Sequence, residues 1–285
     1  MKNLITIFLI ILIIGCNENP VKILHIPQNK ITPTPKEIKY LSNEECLKLP
    51  TGLKVYSPDK SLIPIANIFV EQLNQLDIKH QLSFEEEANA NISLLIDDKL
   101  EAEEYNIITE QKIMISGGSY KAISSAMTSL LHLVEKKDDH TLLPMVKIRD
   151  YPDATFRGLL IDLARQWHSI ETLKKLVDMS AFYKLNYMQL HLTDDQSFTF
   201  PSKAYPKLAT KDRHYSKEEL VDLVNYAELR GITLIPEIDI PGHSKKFIET
   251  YPEIFSPKLK KWGKNIFGGD AFNNVINIGS EKVYS

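Results

Sequence analysis

The sequence predicts an α+β domain followed by the opening part of a parallel (β/α)8 barrel, with about three of the eight units present. Three observations predict it. From residue 151 onward, strand-like runs alternate with helical runs of the length that builds βαβ units. The first of those strands, Gly158-Leu159-Leu160-Ile161-Asp162-Leu163, is almost wholly apolar, as expected when both faces are buried in a parallel sheet. Before residue 150 the pattern differs, with short β-rich runs and two helices but no repeating unit.

In that N-terminal part, Ile65, Ile68, Phe69, Leu73 and Leu76 recur at helical spacing and predict a helix over 63–76. Residues 91–96 read as a strand. The runs 105–109 and 112–116, split by Glu110-Gln111, read as a hairpin. Gly117-Gly118-Ser119 then turns the chain into a helix that runs to about Glu135. No catalytic constellation occurs here, so residues 37–150 read as a supporting domain.

In the C-terminal part, residues 151–285, Ser169 can cap a helix whose apolar stripe is Leu173, Leu176, Val177, Ser180 and Ala181. Residues 187–193 read as the second strand. Ser216-Lys217-Glu218-Glu219 is a capping box for a helix lined by Leu220, Leu223, Val224 and Ala227. Gly231 falls where a left-handed residue closes that helix, and residues 232–238 form the third strand. The long loop over 194–215 carries Phe198, Phe200, Tyr205 and Pro206, which favours a packed loop over a disordered one.

Hydrophobic residues make up 43% of the 285 positions and charged residues 25%, enough for a sizeable core. The net charge is −3 with Lys and Arg scattered. Nucleic acid, which needs a concentrated basic face, is not an expected partner. At the N-terminus, Lys2 precedes an apolar run from Leu4 to Ile14, interrupted by Thr6. The run is too short to span a bilayer and suits the h-region of a signal peptide over residues 1–15. It ends in Gly15-Cys16, which resembles a bacterial lipobox. That resemblance implies cleavage before Cys16, acylation of its sulfur and amine, and an exported protein anchored to a membrane. Plain signal-peptidase cleavage with Cys16 incidental is the other reading. With Cys16 lipidated, only Cys46 remains and no intramolecular disulfide can form. Residues 16–36, with Pro20, Pro27, Pro33 and Pro35, read as a tether.

The unusual polar residues fall at the C-terminal ends of the three barrel strands. Asp162 and Arg165 follow the first, His191, Asp194 and Asp195 the second, and Glu237, Asp239 and His243 the third. In a parallel barrel these positions open on one face, where active sites of that architecture lie. Singly, each could serve a surface ion pair, a turn or a loop closure; together they suit acid–base chemistry on a hydroxyl-rich substrate. An arginine presents a fork of donors to sugar hydroxyls, and an Asp–His pair can orient and tune a neighbouring acid. A metal site built from His191, Asp194 and His243 is a rival, although the first strand offers no His-x-His.

Three segments carry a family resemblance: Arg157-Gly158-Leu159-Leu160-Ile161-Asp162 with Arg165, His191-Leu192-Thr193-Asp194-Asp195-Gln196-Ser197-Phe198, and Pro236-Glu237-Ile238-Asp239-Ile240-Pro241-Gly242-His243. In order and spacing they resemble glycoside hydrolase family 20, the β-N-acetylhexosaminidases, over residues 31–285. The resemblance implies that Arg165 holds hydroxyls of a terminal N-acetylhexosamine. It implies that Asp194 and His243 form a pair supporting the catalytic acid, and that no cofactor or metal is required. It further implies substrate assistance: the 2-acetamido oxygen attacks the anomeric carbon, an aspartate steadies the acetamide nitrogen, and the adjacent glutamate protonates the leaving oxygen. In the family that Asp-Glu pair follows the fourth strand, and the tryptophans that wall the sugar also come later. The present sequence contains no Asp-Glu dipeptide; Gly268-Gly269-Asp270-Ala271 lacks the glutamate and comes too early. The resemblance therefore implies a chain truncated before its catalytic pair, which leaves open a non-catalytic, glycan-binding lipoprotein of the same fold.

Overall fold

The computed structural model describes residues 21–22, 30–257 and 273–284. The N-terminal part holds two sheets. The smaller is antiparallel: β1 (Val21–Lys22) pairs with β3 (Glu45–Leu49), β3 with β10 (His140–Pro144), and β10 with β9 (Glu135–Lys137). The larger has seven strands: β2 (Glu37–Tyr40), β11 (Val146–Asp150), β7 (Tyr105–Thr109), β8 (Ile113–Gly117), β6 (Ile92–Ile96), β4 (Gly52–Tyr56) and β5 (Gln81–Phe84), in that order across the sheet. Its β7–β8 hairpin is the one the sequence predicts, with Tyr105 opposite Gly117. Helix α1 (Ile63–Gln75) links the parallel strands β4 and β5. Helix α2 (Tyr120–Leu133) begins at Ser119, whose hydroxyl accepts from the Ala122 amide. One core joins both helices to both sheets through residues such as Phe69, Leu94, Ile107, Ile123 and Leu143. Leu76, placed in the α1 stripe from sequence, is exposed at the helix C-terminus, and Ala66 and Val70 are buried instead.

Part of the predicted tether belongs to this domain. Val21–Lys22 pairs with Glu45 and Cys46, Ile31 is 3% exposed within the core, and the Thr32 amide donates to Nδ1 of His132. The apolar burial of Ile31 outweighs the extended, proline-rich character on which the tether reading rests. The segment that the sequence suggests as a signal peptide, residues 1–15, and Cys16 lie outside the described residues. Among the described residues, no helix is long and apolar enough to cross a membrane.

The C-terminal part is a parallel three-stranded sheet, in the order β12 (Gly158–Asp162), β13 (Tyr187–His191), β14 (Thr233–Glu237). Helix α3 (Ile170–Phe182) connects β12 to β13, and α4 (Lys217–Glu228) connects β13 to β14. Both predicted N-caps are formed. At α4 the box is complete, with the Glu219 amide donating to Ser216 Oγ at 3.0 Å and the Ser216 amide to Glu219 Oε2 at 2.7 Å. Gly231 takes φ +76°, the left-handed conformation that ends the helix. Leu173, Val177, Leu223 and Ala227 close over Met188, Leu190 and Leu192 on one face of the sheet.

Burial of both faces of the first barrel strand does not hold. Leu159 and Leu160 are exposed, the latter at 54%. β12 is an edge of the sheet, and among the described residues nothing covers the face that carries Leu160; the barrel is not closed. Val224, predicted to face the core from α4, is 39% exposed for a similar reason, on a flank with no neighbouring helix among the described residues.

The two parts meet at the N-terminal ends of the barrel strands. Arg157, just before β12, makes a two-pronged ion pair with Glu103 at 2.7 and 3.2 Å. Its amide donates to Asn186, just before β13, at 2.9 Å. Lys121 of α2 reaches Thr233 at the start of β14 at 3.2 Å, and Tyr120 donates to the Leu229 carbonyl at 2.8 Å. With that end anchored, the opposite end of the sheet is left to carry polar side chains.

Candidate functional site

In a parallel sheet, register partners point to the same face. Asp162 pairs in register with His191, and His191 with Glu237, so three neighbouring strands deliver two carboxylates and an imidazole to one patch. Asp194 enters from the loop after β13, and Arg165 from the turn after β12. That turn is closed by Asp162, which accepts from the Arg165 amide at 2.9 Å and from its Nη1 at 2.6 Å.

Asp194 is the hub, only 2% exposed. Its Oδ1 accepts from the Asp195 amide at 2.6 Å and from Nδ1 of His243 at 3.1 Å. Its Oδ2 lies 3.1 Å from Nε2 of His191 and forms an ion pair with Nη2 of Arg165. Burial raises the pKa of this carboxyl, but the Asp195 amide and the two imidazoles outweigh it and hold the group below the ordinary carboxylate range. Nη2 of Arg165 also lies 3.5 Å from Nδ1 of His243. The two act as donors converging on Asp194, not as partners of each other, because a carboxylate is the stronger acceptor. Nδ1 of His243 is thus spent on Asp194, which leaves Nε2 on the roughly half-exposed side of the ring.

The loops that supply these groups are packed. Thr193 and Phe198 form a β-bridge, and Ser197 Oγ donates to the Ala164 carbonyl at 2.5 Å. Phe198 and Leu208 bury against Phe247 of α5 (Lys245–Thr250) and Phe255 of α6 (Pro252–Phe255), which follow His243. The Phe198–Phe247 rings meet edge to face, 5.2 Å apart. The aromatic content of the 194–215 loop therefore does what the sequence suggested, and it also fixes Asp194 relative to His243. His243 itself takes φ +52°, an uncommon conformation for a side-chain-bearing residue. Its successor Ser244 braces the turn by donating to the Gly242 carbonyl at 2.8 Å and, through its amide, to the Asn274 carbonyl at 2.9 Å. Asp195 does not join the hub; it accepts from the Lys245 amide and from the Asn274 side chain. The Asp239 amide donates to Thr193.

The catalytic-domain model of glycosyl hydrolase family 20 matches residues 155–285, and the model of domain 2 of that family matches residues 28–151. The chain belongs to glycoside hydrolase family 20. A β-hexosaminidase of Vibrio furnissii is 31% identical over 245 residues, 78% of this chain and 39% of that protein. One from Porphyromonas gingivalis is 32% identical over 234 residues, 72% of this chain and 30% of that protein. The chain thus spans less than half the length of these curated relatives. Among solved structures, a family 20 exo-β-N-acetylglucosaminidase of Vibrio harveyi, in complex with N-acetylglucosamine, matches with a TM-score of 0.81 at 25% identity. That match covers 93% of this chain and 44% of the other.

For this family 20 chain, the structure brings together the three barrel residues to which the resemblance gives a role: Arg165, Asp194 and His243. It adds two whose place in the network sequence reasoning did not assign, His191 and Glu237. Their position at strand ends was legible; that both nitrogens of His191 face carboxylates was not. Two trios, His191–Glu237–Asp239 and Asp194–Asp195–His243, bring potential ligand atoms within 4.8 Å of one another, a spacing a metal ion could use. Hydrogen bonds already account for much of that closeness. Both nitrogens of His191 point at carboxylates, and a guanidinium occupies one side of Asp194.

Proposed function

We propose that the protein to which this chain belongs releases terminal non-reducing N-acetylhexosamine residues from glycans by a substrate-assisted, retaining mechanism. The observation that carries the reading is the buried Asp194 carboxylate, gripped by Arg165 and oriented on His243 at the C-terminal ends of the barrel strands. In this reading Arg165, about half exposed, donates to hydroxyls of the terminal sugar while Asp162 and Asp194 set the plane of its guanidinium. The Asp194 carboxylate accepts from Nδ1 of His243, so the ring keeps its proton there and presents the lone pair of Nε2. The ring can then accept a hydrogen bond from, and tune, the carboxylic acid that protonates the leaving oxygen. That acid and the acetamide-holding aspartate belong to an Asp-Glu pair that these 285 residues do not contain.

A direct assay uses the full-length gene product with an aryl N-acetylglucosaminide and the matching glucoside, with and without chelator. Expected are turnover of the first substrate only and no loss with chelator. The 285-residue chain in the same assay is expected to show no turnover. Equal rates on both sugars, or abolition by chelator, would refute the reading. A full-length protein that binds N-acetylglucosamine without hydrolysing the aryl glycoside would favour the non-catalytic, glycan-binding alternative.

The location is proposed from the Gly15-Cys16 lipobox resemblance alone. Acyl chains on Cys16 contribute about 0.8 kcal/mol of membrane affinity per buried methylene. Cys16→Ser is expected to release the protein from the membrane fraction of its host; unchanged fractionation would exclude the anchor.

A further inference from the structure

His191 is buried on the central barrel strand, and neither of its ring nitrogens has a free side. Nδ1 lies 2.7 Å from Glu237 Oε1, and Nε2 lies 3.1 Å from Asp194 Oδ2. A neutral imidazole carries one N–H and one lone pair, so it would aim that lone pair at a carboxylate oxygen from one of these positions. Only the doubly protonated ring donates to both. Glu237 is itself fixed from behind, because Gln189, two residues before His191 on the same strand face, donates to Oε2.

The surrounding charge favours the same state. Facing the ring are Asp162 from β12, Asp194 from the following loop, and Glu237 and Asp239 from the end of β14. Arg165 meets Asp162 and Asp194 directly, and His243 lies on the far side of Asp194. Without a proton on His191, Arg165 alone would face four neighbouring carboxylates, and it reaches only Asp162 and Asp194. Burial works against the charged ring, but hydrogen bonds to Glu237 and Asp194 outweigh it, and the imidazole holds its proton above the ordinary histidine range.

We infer that His191 is a positioning residue: an imidazolium clamped between Glu237 and Asp194 that fixes the charge and rotamer of Asp194 and, through it, the orientation of His243. The inference rests on the proposed hexosaminidase function. It extends the support of the catalytic acid one step inward, from His243 through Asp194 to His191 and Glu237. With Oδ2 of Asp194 taken by His191 and Arg165, only Oδ1 is left to meet His243, so the carboxylate has one way to face the ring. Removing His191 leaves Oδ2 of Asp194 with Arg165 as its one partner, and leaves Glu237 partly buried beside Asp162 with no cation between them.

The test uses the full-length enzyme with an aryl N-acetylglucosaminide, comparing wild type, His191→Gln, Glu237→Gln, Asp194→Asn and the double variant of His191→Gln with Asp194→Asn. His191→Gln is expected to lower kcat by about ten- to a hundredfold, the usual scale for losing a supporting hydrogen-bond partner, with KM nearly unchanged. In the Asp194→Asn background the same change is expected to have little further effect, because His191 acts through that carboxylate. Glu237→Gln keeps the shape of the clamp, is expected to melt close to wild type, and should lower kcat in the same direction. It serves as the second variant where His191→Gln melts early. A kcat within about twofold of wild type in both single variants, or losses that multiply in the double variant, would overturn the inference.

A second readout needs no turnover. In the protein labelled with 15N-histidine, the ring signals lost in His191→Gln are expected to show both nitrogens protonated at about pH 7, and a neutral ring overturns the inference. A wild-type enzyme without activity on the glycoside would instead overturn the functional reading, and the ring signals would still decide the state of His191.

Discussion

Lys184→Met is expected to lower the unfolding free energy by about 3 kcal/mol, the lower end of the range for breaking one side of a buried ion pair. Lys184 sits in the turn between α3 and β13, and its ammonium group crosses to the N-terminal domain. It donates to Asp150 Oδ2 at 3.1 Å and to the Tyr105 hydroxyl at 2.9 Å, both side chains of the pair being about nine-tenths buried. Tyr105 in turn donates to Asp150 at 2.6 Å, and Ser129 Oγ lies 2.6 Å from the tyrosine oxygen. Methionine keeps much of the stem but strands the Asp150 carboxylate, whose remaining donors are Tyr105 and the Lys36 amide. Those two donors place the expected cost at the low end of the range. Adding Asp150→Asn should restore part of the loss, because an uncharged amide tolerates the buried position better than an unpaired carboxylate. Urea unfolding of the four proteins gives the cycle. A single-variant loss under about 1 kcal/mol, or simple additivity, would show that the cluster does not couple the domains. The cluster bears on the candidate site because the strand that follows Lys184 carries His191 and leads to Asp194 at its other end.

Much of the C-terminal part was legible in the sequence because each of its signals is local. The capping box at Ser216 and Glu219, the left-handed Gly231 and the apolar stripes of α3 and α4 depend on neighbours a few residues apart. The four-stranded sheet was not legible. Its strands β3 and β10 lie about a hundred residues apart, β3 partly and β10 almost wholly buried, so they give short runs with no clear alternation. Leu160 shows the opposite failure. Its apolar character states correctly that a barrel strand wants both faces covered, and no strand pattern records whether covering elements are present.

The candidate site divides in the same way. Arg165, Asp194 and His243 could be named because each lies in a segment that resembles a family motif at a strand end, and packed loops bring them together. The clamp on His191 depends on a register between three strands, Asp162 beside His191 beside Glu237, that only the folded sheet specifies. The interdomain ties of Lys184, Arg157 and Tyr120 join residues 34 to 109 positions apart and leave no local trace.

His132 makes the joint between the two parts acid-sensitive, and the expected loss is about 3 kcal/mol as the pH falls from about 6.5 to about 4. The residue lies in the last turn of α2, buried, with its ring edge-on to Phe182 of α3 at 4.3 Å and its Nδ1 accepting from the Thr32 amide at 3.3 Å. Burial, followed by the nearby Lys184 charge, pushes its pKa down to about 4, and the Phe182 carbonyl offsets only part of this. In the unfolded chain the ring titrates near its ordinary value of 6.5. Below that value the unfolded state takes up a proton that the folded state refuses, so stability falls with pH until the folded pKa is reached. His191 does not blur this window. Its folded pKa is raised, so its contribution is complete below its ordinary value and is lost only as the pH rises through the raised one. Asp162, Asp194 and Glu237 have lowered pKa values, and their contributions are lost only as the pH falls below the ordinary carboxylate range. His80, lowered by burial, acts with the same sign as His132, so the comparison must be made by difference. In His132→Gln the amide oxygen can still accept from Thr32 and carries no titrating proton. Denaturant unfolding of both proteins at several pH values is expected to show a flatter pH dependence for the variant between about pH 6.5 and 4. An unchanged slope would mean that His132 meets solvent or a counter-charge when it protonates, and that the joint between the domains does not sense acid.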